Sequence, residues 1–306
     1  MDQMNSILTD KTGHLRSGWR AIVFLLVFFC AAFVLALLEQ LFVGGIPADE
    51  LTGQTYFMIV NSAGLLFLAV LIGGFATKLF EAKPFKTLGV SLTKGWSLHL
   101  VLGLILGAVT LVVAVLIPFV AGSESFEIDP VGSETLTNSL LWSFLVFALA
   151  AASEEALFRG YLLQTFVRSG HATWAIVGMS LFFGLVHMDN KDASLLSGTN
   201  TVVAGIVFSL AYMRTRDLWF PWGLHLMWNW MQGSIFGIEV SGITSLVKAP
   251  FLREIDRGPV WLTGSSYGIE GSISCTVALV ILGLAIYFLP GLKPDDEVLA
   301  LNQPAS

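Results

Sequence analysis

Charge is what this 306-residue chain has least of. Asp, Glu, Lys and Arg make up 12% of it, against 55% hydrophobic residues and a mean hydropathy of +0.76, whereas an average soluble domain carries roughly 25% charged residues. That deficit excludes an ordinary soluble domain and leaves a polytopic membrane protein. Cysteine is also scarce. Cys30 and Cys275 lie far apart in apolar stretches, which excludes a disulfide framework or a thiolate metal site, and both read as small core residues. A basic patch is missing too: the net charge is −6, with acids spread over loops and ends, so nucleic acid is not an expected partner. The chain has no H-E-x-x-H pair, no low-complexity tract and no internal repeat. One integral-membrane domain over 1–306 is the simplest organisation.

What is present is a series of apolar runs. A helix that crosses about 30 Å of hydrocarbon needs about 20 mostly apolar residues, and eight such runs fall near 21–44, 56–78, 98–121, 138–158, 172–188, 199–214, 219–238 and 274–290. The predicted fold class is therefore all-α, a bundle of about eight spanning helices. The first three are plain apolar helices suited to a scaffold or lipid-facing role, and the first resembles an uncleaved anchor more than a signal peptide. One side carries Lys11, Arg16, Arg20, Lys78, Lys83, Lys86, Lys94, Arg159, Arg168, Arg214, Arg216 and Lys293; the other carries Lys191, Lys248, Arg253 and Arg257. Positively charged loops stay in the cytoplasm, so both termini are expected there. The outer loops around Asp49 and Glu50 and from Glu124 to Glu134 carry no positive charge, in agreement. The Gly-rich outer loop at about 239–273 is expected to cap the bundle or fold back into it.

Against this background, three ionisable residues inside the fourth run stand out: Glu154, Glu155 and Arg159. Such groups cost roughly 2.5–3.5 kcal/mol each at a helix centre on insertion scales, so their default reading is a functional site. Glu155 and Arg159 are four apart and can pair on one helix face. Glu154 is rotated by about 100° and is left without that partner, free to act as a general base. His225 and Asn229 are four apart and project side by side, two uncharged groups with N–H donors suited to a developing oxyanion. Phe183 and His187 repeat the spacing, with Gly184 allowing close approach of another helix. Together they suit attack by water on a carbonyl: Glu154 takes the proton, His187 holds the water, His225 and Asn229 donate to the oxyanion. The region 138–235 is the expected catalytic core. Depth is the difficulty, because a helix ending at 188 puts His187 nearer the outer face than a mid-membrane Glu154 requires. Either the fourth span extends to about Arg168 and tilts, or the fifth begins later than Thr173, or the bilayer is locally thin.

The ordered set Glu154-Glu155-x-x-x-Arg159, Phe183-x-x-x-His187 and His225-x-x-x-Asn229 resembles the three motifs of the CAAX prenyl protease and bacteriocin-processing family of intramembrane endopeptidases. The resemblance covers about residues 138–235. It implies Glu154 and His187 as activators of the hydrolytic water, His225 and Asn229 as the oxyanion hole, and Glu155 and Arg159, with Phe183, as support. It also implies a peptide or lipidated protein substrate, membrane lipid as a neighbour, and a place in a bacterial cytoplasmic membrane. No cofactor is expected. A zinc site would have to use Glu154, His187 and His225. Two further readings use the same buried cluster: a proton-coupled transporter, which should show pseudo-symmetric halves, and a non-catalytic peptide or bacteriocin immunity protein. Blander readings apply elsewhere. His14, His99 and His171 read as ordinary interfacial residues, Trp219, Trp222, Trp228 and Trp230 as an aromatic belt with lipid-facing packing, and Gly264-Ser265-Ser266-Tyr267-Gly268 as a turn although it fits G-x-S-x-G.

Overall fold

The structure is a computed structural model that describes residues 7–10, 13–42, 51–243, 247 and 249–302, with residues 51–54 as backbone only. Lys11, Lys248, Asp49 and Glu50, which entered the orientation argument, lie outside the described residues. Inside a bilayer each backbone N–H and C=O must be satisfied within its own segment, so apolar runs become helices. They do so here: α1 (Ser17–Phe42), α2 (Leu51–Glu81), α3 (Trp96–Val120), α4 (Ser133–Glu155), α5 (Leu163–Arg168), α6 (Ala172–His187), α7 (Leu195–Thr215), α8 (Trp219–Trp230), α9 (Val260–Thr263), α10 (Ile273–Phe288) and α11 (Asp296–Leu301). Among the described residues five stretches, 17–42, 55–81, 96–120, 133–168 and 195–215, are long and apolar enough to cross a membrane, while Ala172–His187 and Ile273–Phe288 are apolar but shorter. The protein is an integral membrane protein of nearly all-α class.

The expected end of the fourth span at 158 is wrong. A π-helical turn, Ala156–Leu162, with a kink at Gly160 (φ −68°, ψ −111°), joins α4 to α5, so the apolar helix runs on to Arg168. That extension removes the depth conflict. At a rise of about 1.5 Å per residue, Glu154 lies about 21 Å from the Arg168 end and His187 about 23 Å from the Ala172 end, so the two reach similar depth. It also removes Arg159 from the loop charges, because its side chain is buried within the helix. Arg20 and Arg168 are buried as well and flank Glu81, at 3.2 Å and 2.5 Å; Asn302, just beyond α11, accepts from Arg168 at 3.0 Å.

Glycines set the closest helix contacts. A Cβ at Gly103 or Gly107 of α3 would lie 2.4 Å from the carbonyl oxygens of Phe220 and Leu224, so α3 packs backbone to backbone on α8. The third run is thus the direct neighbour of the His225 helix and not merely scaffold. Gly184 of α6 faces Gly198 and Val202 of α7, the close approach its sequence position suggested. Asp217 caps α8 by accepting from Trp219 N at 3.1 Å, and its other oxygen meets His99 Nδ1 at 2.5 Å. His99, in the first turn of α3, is therefore buried against a carboxylate. Ser194 and Ser197 form a capping box at the start of α7, and Ser272 caps α10.

Two features escaped the reading by runs. Residues Glu124–Ile128 (β1) and Leu252–Asp256 (β2) pair as an antiparallel ribbon with Glu124 opposite Asp256. The described parts of the loop expected at about 239–273 fold back onto the bundle, fixed by Asn200 Nδ2, which donates at 2.8 Å to the carbonyls of both Glu270 and Ser272. The tryptophans differ from expectation. Trp219, Trp222 and Trp230 donate to the carbonyls of Ser91, Ala148 and Leu140, and Trp228 is buried, so they knit helices together instead of forming a belt. Cys275 is buried as expected, whereas Cys30 is exposed on α1.

Candidate active site

Glu155 organises the site from below. Its Oε1 accepts from Arg159 Nη1 at 3.0 Å, the four-residue pair the sequence predicted, and also from His225 Nδ1 at 2.9 Å. Arg159 donates its other terminal nitrogen to the Gly205 carbonyl at 3.1 Å and lies 4.7 Å from the centre of the Phe183 ring and 5.3 Å from that of Phe208. A buried guanidinium is held this way by one carboxylate, one carbonyl and two aromatic faces. Phe183 also packs against His187 (centroids 4.5 Å apart), and Phe208 stacks on His225 (4.9 Å, 18° between planes). Phe208 was not anticipated. In the sequence it is one apolar residue in an apolar run.

Glu154 faces the other way. Its Oε2 lies 3.9 Å from His225 Nε2 and 4.0 Å from His187 Nε2, beyond the roughly 3.2 Å limit of a direct hydrogen bond. Among the described residues none hydrogen-bonds that oxygen. The carboxylate left free by helical geometry is thus brought to two imidazoles from two other helices. Their orientation is set behind them: His187 Nδ1 is 2.7 Å from the Phe183 carbonyl, an acceptor, so Nδ1 carries a proton and Nε2, in the neutral ring, presents the lone pair. His225 is placed likewise, with Nδ1 committed to Glu155. It can donate to an oxyanion only through a protonated Nε2, which narrows the role expected of it.

These groups line a cavity of about 370 Å³. Asn229, one turn after His225 on α8, lies on its wall with Glu154, His187, His225 and Phe183. The remaining wall comes from elements outside the motif region, including Met58 of α2, Gly107 of α3, Ser241 and Glu270 of the folded-back loop, and Cys275 of α10. Glu270 is a second carboxyl group that the sequence did not flag, because nothing local distinguishes it from a solvated loop acid. Burial pushes its carboxyl above the usual range, opposed by hydrogen bonds from Ser241 and Gln232. The G-x-S-x-G stretch is a turn, with positive φ at Gly264 (88°) and Gly268 (90°). Four-coordinate zinc ligands at 2.0–2.1 Å would sit roughly 3.4 Å apart, closer than the gaps around Glu154. Among the described residues no group of three His, Cys, Asp or Glu side chains is arranged to hold a metal ion.

Residues 136–231 match the family model described as type II CAAX prenyl endopeptidase, Rce1-like. Over this segment the chain is similar to the Rce1-like family. All seven motif residues, from Glu154 to Asn229, fall within the matched stretch. The chain is also similar to the uncharacterized protein YyaK of Bacillus subtilis (strain 168), 22% identical over 218 residues that cover 70% of this chain and 69% of that protein. The Rce1-like segment spans α4 to α8, and the family is one of membrane proteases. Gly107, Ser241 and Glu270 show that the cavity wall extends beyond it.

Proposed function

We propose that the protein is an intramembrane endopeptidase in which Glu154 activates a water for attack on a peptide carbonyl. The observation that carries this reading is the position of Glu154 Oε2, 3.9–4.0 Å from two imidazole Nε2 atoms. One water about 2.8 Å from each atom spans such gaps at angles near 90°. Glu154 takes its proton as the oxygen attacks, and the developing oxyanion is met by Asn229 Nδ2–H and, once His225 is protonated, by its Nε2–H. His187 holds the water with its lone pair and relays the proton to the leaving amine. Glu155 and Arg159 act through His225 as positioning residues. No side-chain nucleophile is needed. The substrate is a membrane-associated peptide or lipidated protein, and the membrane a bacterial cytoplasmic one with both termini in the cytoplasm. A transporter reading gains no support, since the polar residues gather in one cavity and not in matching halves.

The test is hydrolysis of a quenched peptide by the purified protein in neutral detergent, with and without a chelator. Activity should survive the chelator. Asn229→Ala should lower kcat by about 10²–10³-fold, the usual size for one oxyanion donor, with KM little changed. Loss of activity on chelation would replace this mechanism by a metal-dependent one at Glu154, His187 and His225.

A further inference from the structure

The cavity holds two carboxyl groups, and the hydrolytic reading uses one. The other, Glu270, is carried by the segment between β2 and α10. It accepts from Ser241 N at 2.5 Å, Ser241 Oγ at 3.0 Å and Gln232 Nε2 at 3.2 Å. Three neutral donors converge on it, a pattern that suits a carboxylate, which is an acceptor only. Among the described residues lining the cavity the titratable ones able to carry charge at neutral pH are Glu154, Glu270, His187 and His225, with no Lys or Arg. Arg159 stands behind the wall, already bound to Glu155 and the Gly205 carbonyl. An entering carboxylate therefore meets charge of its own sign, while an ammonium or guanidinium meets a fixed acceptor in surroundings where such contacts exceed their strength in water.

We propose that the cavity selects a peptide bearing a positive charge beside the scissile bond, a Lys or Arg side chain or a free N-terminal ammonium held by Glu270, and disfavours one whose C-terminal carboxylate falls there. This rests on the hydrolytic reading and adds a substrate class to it. Glu270 is then a specificity residue that touches substrate, and the Ser241 turn is the frame that aims it. The selectivity should weaken at acidic pH, as Glu270 gains a proton.

The experiment uses labelled peptides identical except for Lys, Gln or Glu at one position, titrated by fluorescence polarisation into Glu154→Gln protein in neutral detergent, where Glu270 is the remaining cavity carboxylate. The Lys peptide should bind about tenfold more tightly than the Glu peptide, and adding Glu270→Gln should bring the two within about twofold. Equal affinity for the Lys and Glu peptides, or a ratio that Glu270→Gln leaves unchanged, overturns the proposal. Should the double variant not fold, the peptide series on Glu154→Gln protein decides alone. Hydrolysis by wild-type protein is scored separately. If no peptide is cleaved the hydrolytic reading fails, while the binding ratio still judges the selectivity.

Discussion

Among single residues, the least replaceable is Arg159. It is 1% exposed, and removing it would leave Glu155 buried beside His225 with no cation. Breaking a buried pair on one side typically costs about 3–5 kcal/mol, so Arg159→Ala should sharply lower the yield of folded protein and the detergent melting temperature. An unchanged melt would contradict the role given to this pair. Much of this was legible beforehand. Four-residue spacing and the rarity of charge in apolar runs pointed to the Glu155–Arg159 pair and left Glu154 free. Spacing cannot show which atom of an imidazole is taken, and so the commitment of His225 Nδ1 to Glu155 emerged only from the fold. Phe208 and Glu270 were invisible for a related reason: each becomes distinctive only through neighbours distant in sequence.

At the scale of elements, the contact between α3 and α8 places His225 and Asn229. Gly107→Leu should force the two backbones apart, since its Cβ alone would lie 2.4 Å from Leu224 O; overpacking of this kind costs about 1–3 kcal/mol. Both melting temperature and peptide turnover should fall. Gly178→Ala in α6 meets nothing within 4 Å and should be neutral or gain up to about 1 kcal/mol from helix propensity. Equal effects at the two glycines would contradict the packing account. Helix existence was well marked by the apolar runs, whereas the end of the fourth was not, because hydropathy drops at Arg159 and Gly160 and nothing in the sequence announces the π turn that carries the helix past them. The β1–β2 ribbon gave no sign in the sequence, its two strands being short and more than 120 residues apart. It predicts a pH effect. Burial, then the Asp256 charge, raises Glu124 to about 7, and burial with Glu124, Glu239 and Asp256 raises Glu254 to about 9. The folded protein thus holds protons that the unfolded chain releases near 4.5, and this stabilisation is complete at low pH and lost as pH rises through about 7 and then 9. Melting temperature should fall from pH 5 to 9, and Glu254→Gln should flatten the slope; a rise with pH would contradict the assignment.

Across the whole molecule, three short or polar helices, α6, α8 and α10, stand among longer apolar ones and line the cavity together with α4, α7 and the folded-back loop. Length and polarity arguments located that interior, but not the loop's share of its wall. The same arrangement makes orientation testable. With the basic ends inside, a reporter fused at the C-terminus should be active in the cytoplasm, and one inserted near Gly258 should be active outside; the reverse pattern would contradict the proposed topology. The central claim concerns one carboxylate. Peptide hydrolysis by wild-type and Glu154→Gln proteins of matched melting temperature tests it most directly: turnover should drop by about 10²–10⁴-fold, the range for loss of a general base, and equal turnover in the two proteins would contradict the account.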